Sequence, residues 1–416
     1  MKSQISRQKV LLWALPVLFV LTLAVVQAAQ AQTFKVLYDF TGYADGYLPT
    51  AGLTWDTQGN LYGVTAFGGT GTCPGGCGTL FELAKNGSAW TFHSLYSFTG
   101  GTDGTEPLAP LVLAADQSFY GTTSTGGSGS CFGGCGATFN FKPGSPVSPI
   151  HSFTGGSDGQ NPASGAVVLD NLGDVYGTTT NDLTACYGPT CGNVYELMPS
   201  GTGWGIVPLY SFTGAGDGGQ PFGGVIFSDS NHLFGTTSQG GANGAGLVYE
   251  LVRSGSTWTE KILYNFTGGS DGSFPATSLI FDKLGNLYGT TALDGAGAGG
   301  TVFMLSPATP FWKYTLLHSF TGTDGPQGAL AVDKAGNIYG TTYTDGAYGY
   351  GSVFKLTRDP SHSVSGWKFS TLHDFTGGID GDLVSGGVIL DGQANLYGIT
   401  WGGGKYGGGT IFEIIQ

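Results

Sequence analysis

Hydrophobic and aromatic positions recur along this chain with a period of about 55 residues. Each copy opens on a Phe-Thr-Gly string that follows Ser, Asp or Asn, and the spacings between successive Phe residues are 58, 55, 59, 54, 54 and 55. The seven residues are Phe40, Phe98, Phe153, Phe212, Phe266, Phe320 and Phe375. A fixed period of this length indicates a tandem repeat of one supersecondary unit.

Each copy contains four strand signals, which we call a, b, c and d. In the fourth copy they are Gly223–Ser228, His232–Thr237, Gly246–Leu251 and Trp258–Phe266. The a segments are nearly all apolar, as is typical of a strand covered on both faces. The a–b link is often Asp-x-x-Gly, as at Asp56–Gly59, and this pattern favours a type I turn with Gly in the left-handed conformation. A four-stranded antiparallel unit with this period is typical of a propeller blade.

The two ends of the repeat array are complementary. Thr33–Phe40 reads as a d strand with no a, b or c strand before it, and Gly409–Ile414 reads as a c strand with no d strand after it. We therefore expect the N-terminal strand to complete the last sheet, because ring closure removes two exposed strand edges. The sequence predicts an all-β, seven-bladed β-propeller. An open β-solenoid is the alternative, but it leaves the complementary ends unexplained.

The first 31 residues differ from the repeats. Lys2, Arg7 and Lys9 precede a largely apolar run over residues 10–26, and Ala29-Gln30-Ala31 is a small-x-small string. This pattern predicts a signal peptide over residues 1–31 that is cleaved near Ala31, and a propeller domain over 32–416. The alternative is an uncleaved anchor, since the run has the minimum length for a membrane span. We expect a monomer that is secreted to the periplasm or the medium and has no membrane span after cleavage.

Charge limits the classes of partner. The chain carries 15 Lys and Arg against 28 Asp and Glu, and loss of the three basic residues of the leader would take the formal charge from −13 to −16. Nucleic acids and anionic membrane surfaces are therefore not expected as partners.

The repeat resembles a known bacterial family. The strings Gly-Asn-Leu-Tyr-Gly-Thr-Thr at Gly285–Thr291 and Gly-Thr-Val-Phe-x-Leu at Gly300–Leu305 are similar to those of choice-of-anchor tandem repeat GloVer-containing proteins. The similarity covers essentially all of residues 32–416, and the Gly-rich turns and late Trp also look kelch-like. The resemblance implies a secreted or surface protein with a variable C-terminal anchor. Because Gln416 follows the last strand by two residues, we expect no anchor here. The family brings no established activity, so the resemblance implies no catalytic residues.

The b–c loops are the long and variable ones. Propeller geometry places them on the same face as the d–a loops, and variable loops on a rigid frame usually carry recognition. Tyr and Trp in such loops stack on sugar rings or anchor a protein partner, although they also cover hydrophobic loop stems. The densest group of candidate ligand-binding residues comprises Tyr343, Tyr348, Tyr350, Trp401, Lys405 and Tyr406.

An Asp-Gly pair occurs in every d–a loop. A ring of carboxylates could bind calcium or a polyol. The alternative is a scaffold role in an Asx-turn, in which the carboxylate accepts backbone N–H groups. We favour the scaffold role, because every copy keeps the pair and no Asp-x-Asp-x-Asp calcium string is present. No cofactor is predicted, with calcium as the alternative. The aspartates are Asp45, Asp103, Asp158, Asp217, Asp271, Asp324 and Asp380.

Cysteine and histidine residues are interpreted as structural. The six Cys form close pairs in the b–c loops of the first three copies, which predicts disulfides in an exported protein. The pairs are Cys73 with Cys77, Cys131 with Cys135, and Cys186 with Cys191. His151, His318 and His373 occupy a position that is Tyr in the other copies. We therefore expect this position to pack between blades.

Two main hypotheses for function remain, beside a purely structural repeat. The first is a non-catalytic module that binds a glycan or a protein. The second is an enzyme, either a metal-dependent hydrolase or lactonase or a polysaccharide-cleaving propeller, which needs converging carboxylates or His. The a strands contain no Glu, His or Lys. That favours the binding module, although a loop residue such as Glu106, Asp182 or Asp345 could still serve an enzyme.

The leader generates the first testable prediction. Expressed in a secreting bacterial host, the wild-type protein should have a mass that begins at Gln32. Ala31→Arg should retain the leader, because the cleavage site requires a small residue, whereas Ala31→Ser should be processed normally. Intact-mass spectrometry distinguishes these species, and a full-length wild-type mass would contradict the prediction.

Overall fold

The computed structural model describes residues 32–162, 165–180, 191–201, 203–361 and 366–416. These residues form 28 strands in seven four-stranded antiparallel sheets, and they contain no helix. The sheets are the blades of a ring, so the predicted seven-bladed β-propeller is confirmed. Among the described residues, none forms a helix long and apolar enough to cross a membrane.

Each blade is written in the order a, b, c, d. Blade 1 comprises β2 (Thr54–Trp55), β3 (Leu61–Thr65), β4 (Thr79–Asn86) and β5 (Ala89–Ser97), and blade 2 comprises β6 (Val112–Leu113), β7 (Phe119–Thr123), β8 (Ala137–Phe141) and β9 (Ser148–Ser152). Blade 3 comprises β10 (Val168–Leu169), β11 (Val175–Thr179), β12 (Asn193–Ser200) and β13 (Gly203–Ser211), and blade 4 comprises β14 (Ile226–Asp229), β15 (His232–Thr237), β16 (Leu247–Ser254) and β17 (Thr257–Asn265). Blade 5 comprises β18 (Ile280–Phe281), β19 (Leu287–Thr291), β20 (Thr301–Ser306) and β21 (Lys313–Ser319). Blade 6 comprises β22 (Ala331–Val332), β23 (Ile338–Thr342), β24 (Ser352–Arg358) and β25 (Trp367–Asp374). Blade 7 comprises β26 (Ile389–Leu390), β27 (Leu396–Thr400), β28 (Thr410–Ile415) and β1 (Thr33–Asp39).

The N-terminal strand closes the ring as predicted. β1 pairs antiparallel with β28, with Phe34 opposite Ile414 at one end of the pairing. Blade 1 is also tied to blade 7 near the axis, where the Trp55 indole N–H donates to the Leu390 carbonyl at 3.1 Å. The first and last segments of the described chain therefore share one sheet, in which β1 is the outer strand, as the d strand is in every other blade.

The hydrophobic core lies between blades. The buried residues fall into seven clusters, and each cluster joins two adjacent blades. Tyr62 and Leu80 of blade 1, for example, pack with Phe119 and Phe139 of blade 2. A single sheet cannot bury both of its faces, so each blade depends on its two neighbours.

Burial of the a strands differs from the expectation. We expected them to be covered on both faces, but they are half-buried, and six of the seven are two residues long. The a strands line the central channel, so one side is open. Complete burial belongs to the b strands, such as Leu61–Thr65, which lie between neighbouring blades.

The b-strand Gly of each repeat faces an aromatic side chain of strand c. A Cβ atom on Gly289 would lie 2.6 Å from Cζ of Phe303 and 2.7 Å from a methyl carbon of Leu279. The same short approach to a c-strand ring recurs in all seven blades, at Gly63, Gly121, Gly177, Gly235, Gly289, Gly340 and Gly398. The aromatic-Gly-x-Thr string is thus a packing requirement.

Aromatic stacking joins the outer d strands of neighbouring blades. Tyr38 stacks on Phe92 with ring centroids 4.0 Å apart, and His318 stacks on Phe369 at 3.9 Å. The predicted packing role of the Tyr/His position is confirmed. Glu260 of blade 4 occupies the position that Phe92 has in blade 1. Glu260 pairs with Leu251 of its strand c, and Phe92 pairs with the equivalent Leu83.

The carboxyl group of Glu260 lies in an aromatic position. The Tyr210 hydroxyl donates to it at 3.2 Å, and burial raises the pKa of Glu260 from 4.5 to about 7, with the negative charge of Asp217 acting in the same direction. The ionised form is therefore costly in the folded state.

The predicted disulfides are confirmed for two pairs. Cys73 is bonded to Cys77, and Cys131 to Cys135. Cys191 is also disulfide-bonded, and Cys186 lies outside the described residues. These bonds suit an oxidising compartment.

The b-strand glycine generates a stability prediction. Gly289→Ala should lower the free energy of unfolding by about 1–3 kcal/mol, because the added methyl group overpacks the Phe303 ring. Gly392→Ala is the matched control, since a Cβ there meets open space. Chemical denaturation measures both, and equal stability of the two variants would contradict the packing role.

Glu260 generates a pH prediction. The pKa of Glu260 is higher in the folded state than in the unfolded state. The contribution of this side chain to the free energy of unfolding is therefore complete below about pH 4.5 and is lost as pH rises to about 7. Relative to Glu260→Gln, the wild type should lose about 1–2 kcal/mol of stability between pH 5 and pH 8, allowing for solvent screening of this partly exposed group. Glu260→Phe should raise stability at pH 8. Parallel curves for wild type and Glu260→Gln would rule out this titration.

Candidate binding site at the channel mouth

The Asp-Gly aspartates close the d–a loops. The Asp45 carboxylate accepts the backbone N–H of Thr41 at 2.8 Å, the Tyr38 hydroxyl at 2.9 Å and the Thr41 hydroxyl. The donating N–H lies four residues before Asp45, so the loop folds back onto the end of the d strand and is not the Asx-turn we expected. The same contacts hold Asp103, Asp158, Asp271 and Asp380, with His as the d-strand donor at Asp158 and Asp380. Asp217 keeps both threonine contacts, but the Tyr210 hydroxyl lies closer to Glu260, at 3.2 Å, than to Asp217, at 3.4 Å.

Asp324 departs from this arrangement. Only four positions separate it from Phe320, whereas five separate the other pairs, as from Phe40 to Asp45. Its backbone is held by Thr344, whose hydroxyl accepts the Asp324 N–H at 3.2 Å. No side chain or N–H group within the described ranges donates to its carboxylate. The shorter loop has released one carboxylate of the ring from its scaffold role.

The shorter loop also changes the surroundings of His318. His318 occupies the position of Tyr38, whose hydroxyl donates to Asp45, but His318 makes no such contact with Asp324. Burial lowers the pKa of His318 to about 4, an effect that the nearby Asp345 opposes. His318 is therefore neutral near pH 7.

Each d–a loop joins the b–c loops of two consecutive blades. Phe274 donates its N–H to the Ala245 carbonyl of blade 4 and accepts from the Ala292 N–H of blade 5. Its φ is 58°, a left-handed value that is uncommon for a bulky side chain. Six loops share this geometry, at Leu48, Glu106, Asn161, Gln220, Phe274 and Leu383. The d–a and b–c loops thus share one face, as predicted.

A cavity of about 420 Å³ opens on this face at the mouth of the central channel. Its apolar wall includes Leu293 and two tilted rings, Phe222 and Phe274, whose centroids are 5.6 Å apart. Its polar groups include the carboxylate of Asp324 and the amide of Gln327. The cavity therefore combines aromatic faces with both hydrogen-bond donors and hydrogen-bond acceptors.

The channel below the cavity is small and mostly apolar. It has a volume of about 400 Å³, and the described residues that line it are uncharged. Backbones of adjacent blades meet closely along its wall: a Cβ on Gly387 would lie 2.3 Å from the Ala329 carbonyl oxygen. The described part of this lining includes neither a carboxylate nor an imidazole.

Two of the predicted aromatic residues lie beside the cavity. Tyr343 and Trp401 are neighbours, with ring centroids 6.3 Å apart. Burial raises the pKa of Tyr343, and the nearby carboxylates of Asp324 and Asp382 add to the shift. The Tyr343 N–H also donates to the carbonyl of Gly325 at 3.1 Å, so Tyr343 lies next to the loop that carries Asp324.

The other four predicted residues lie on loop tips. Tyr350 covers Gly377, where a Cβ would lie 2.7 Å from its ring, much as Cys73 covers Gly100. The Lys405 ammonium lies 5.0 Å from the centre of the Tyr406 ring. Tyr348 is 61% exposed. The structure thus divides the predicted cluster into a pair near the cavity and residues at the loop tips.

Sequence reasoning missed Phe222, Phe274 and Gln327. The signal that could have found them is the one-residue shortening of the sixth d–a loop, which points to that part of the ring. Of the three candidate enzyme residues, Glu106 lies in a left-handed loop position and Asp345 near His318, and Asp182 lies outside the described residues. Within the described ranges, no group of three or more His, Cys, Asp and Glu side chains could hold a metal ion.

Several solved structures share this fold. The extracellular domain of a protein described as a one component system from B. thetaiotaomicron matches with a TM-score of 0.58 and 11% identity, over 92% of this chain and 40% of that one. A protein from Bacteroides uniformis named as a 6-phosphogluconolactonase matches at 0.52 and 13%, over 83% and 88%. An ancestral GH74 enzyme matches at 0.54 and 14%, over 88% and 48%. This chain thus spans less than half of the first and third of these proteins. At such identities the likeness concerns the fold alone.

Sequence comparison identifies the repeat. No curated protein matches the chain. The model of the Gloeobacter/Verrucomicrobia repeat matches residues 22–191 and 189–412, which together cover most of the sequence. The match agrees with the resemblance of the Gly285–Thr291 string, and the chain belongs to the Gloeobacter/Verrucomicrobia repeat family.

Proposed function

We propose that this protein is an exported, non-catalytic module that binds a neutral glycan at the mouth of its central channel. The observation that carries the proposal is the Asp324 carboxylate, which a shortened loop has freed from the scaffold and which borders a cavity walled by two Phe rings. The leader pattern and the two disulfides support export.

The chemistry of the cavity suits a sugar ring. Aromatic faces such as those of Phe222 and Phe274 pack against the C–H groups of a sugar, and the Asp324 carboxylate and Gln327 amide can pair with adjacent hydroxyls. The volume of about 420 Å³ lies within the range typical of small-molecule sites. The strongly acidic composition disfavours an anionic glycan at this face.

Hydrolysis is less well supported than binding. Glycoside hydrolysis generally uses two carboxyl groups on opposite sides of the scissile bond. Asp324 is the one carboxylate among the described residues that line the cavity, and the described lining of the channel is uncharged. The structural neighbours named as a lactonase and a GH74 enzyme share the fold at 13% and 14% identity, which carries no argument for their activities.

A glycan array followed by isothermal titration tests the proposal. The wild-type protein should bind at least one neutral glycan. Asp324→Asn should weaken that binding by about 10-fold to 100-fold, because a charge-assisted hydrogen bond to a sugar hydroxyl is lost. Phe274→Leu should also weaken it, since the aromatic face is lost while the apolar volume is largely kept.

Asp116→Asn is the matched control, because it removes one negative charge from an exposed side chain in the a–b turn of blade 2, on the other face. It should bind as the wild type does. Absence of any neutral-glycan signal, or unchanged binding by Asp324→Asn, would overturn the proposal. A thermal melt of each variant confirms that the fold is intact.

A further inference from the structure

A second cavity, of about 440 Å³, lies between blades 5 and 6 on the opposite face. Residues 282–284 and 333–336, in the a–b turns of the two blades, form its sides together with Arg358 at the end of β24. Phe281, Val332 and Ile338 give it an apolar floor. We call this cavity the basic groove.

The groove concentrates positive charge in an acidic protein. Lys283 and Lys334 occupy the same position in the turns of adjacent blades, and Arg358 lies with them. The equivalent turn residues of blades 1, 3 and 7 are Thr57, Asn171 and Gly392. With Asp282 and Asp333 counted, the residues lining the groove carry a formal charge of 3 − 2 = +1, in a chain whose formal charge is −13.

The acids of the turns are occupied by the turns themselves. The Asp282 carboxylate accepts the N–H groups of Leu284 and Asn286, the Asn286 amide and the Tyr288 hydroxyl, all at 2.7–2.9 Å. Asp333 accepts the equivalent four donors at 2.7–3.0 Å. Their lone pairs are therefore largely satisfied within the protein, while the lysine ammonium groups remain exposed to solvent.

Contacts within the protein fix the position of the Arg358 side chain. Its guanidinium lies 4.8 Å from the centre of the Trp367 ring, and Nη2 donates to the Tyr288 hydroxyl at 3.2 Å. Nη2 also forms an ion pair with the Asp282 carboxylate at 3.9 Å, so Asp282 is shared between its turn and Arg358. A guanidinium has five N–H donors, so most remain for a ligand, and its planar shape matches a carboxylate through two parallel hydrogen bonds.

An exposed apolar residue completes the groove. Leu284 is 78% exposed and lines the groove next to Lys283 in the chain. A ligand that fits this combination has an anionic group for Arg358 and the lysines, and a body with an apolar face for Leu284 and the floor. Sugar acids have both features.

We propose that the basic groove binds the carboxylate of a uronic acid, either as a free sugar acid or as a unit of an acidic polysaccharide. The site differs from the channel mouth in face, charge and ligand class, and it does not depend on the glycan-binding proposal. Its local positive charge overrides the acidic composition because screening in physiological salt limits long-range repulsion to about 8 Å.

Titration of the full chain with sodium galacturonate and with polygalacturonate tests the groove, with galactose as the uncharged comparison. Both acids should bind, and any binding of galactose at the channel mouth should be unchanged by substitutions in the groove. Lys283→Gln with Lys334→Gln should weaken binding by about 10-fold or more, and added salt should weaken wild-type binding. Arg358→Lys, which keeps the charge but loses the bidentate geometry, should weaken it by about 3-fold to 10-fold. Stronger binding of the polymer than of the monomer would identify the polysaccharide as the source.

The matched control is Lys85→Gln with Lys313→Gln, which removes two positive charges outside the groove. It should bind the acids as the wild type does. Failure of both acids to bind, or equal weakening by the control and by the groove variant, would overturn the proposal. Asp324→Asn should leave this binding unchanged, so the two sites are tested separately.

Discussion

The burial of hydrophobic surface between adjacent sheets is the interaction on which the rest of this structure depends. Each buried cluster takes residues from two blades, so no blade completes its core alone. The b-strand Gly admits the c-strand ring, and the d-strand aromatics stack across the outer edge. These contacts repeat almost without change around the ring, which is why the repeat is so plain in the sequence. They also leave the loops of each face free to differ.

Function in such a scaffold is found where the repetition fails. One position fewer between Phe320 and Asp324 releases a carboxylate that every other loop uses to hold itself together. Likewise, Lys283 and Lys334 stand in turns whose backbone and aspartate contacts follow the common pattern, so the scaffold tolerates charge at that position without loss. Each candidate site therefore combines an ordinary blade framework with a local exception, and the two exceptions lie on opposite faces and carry opposite charge.

The sequence predicted the framework well because each prediction rested on local packing or on counting. The blade number, the pairing of Thr33–Phe40 with the last sheet and the Cys73–Cys77 bond followed from spacing alone. The half-burial of the a strands was missed, since an apolar run does not distinguish a channel wall from a sheet interior. The cavity was missed for a different reason: Phe222, Phe274 and Asp324 come from three different loops, and their convergence depends on the curvature of the ring. Glu260 was not noticed because other blades carry different aromatic residues at the equivalent position, so the repeat pattern did not mark Glu260 as an exception.

The pairing of β1 with β28 has a consequence for biogenesis. Thr33 and Ile415 are neighbours in the finished molecule, yet they lie at opposite ends of the chain. If the chain is exported from its N-terminus, β1 reaches the outside first and remains without a partner until the last strand has crossed. Contacts of such long sequence separation form slowly, and an unpaired edge strand is open to aggregation in the meantime. Translocation and final closure are thereby coupled in time, and a truncated chain would leave β1 without its native partner.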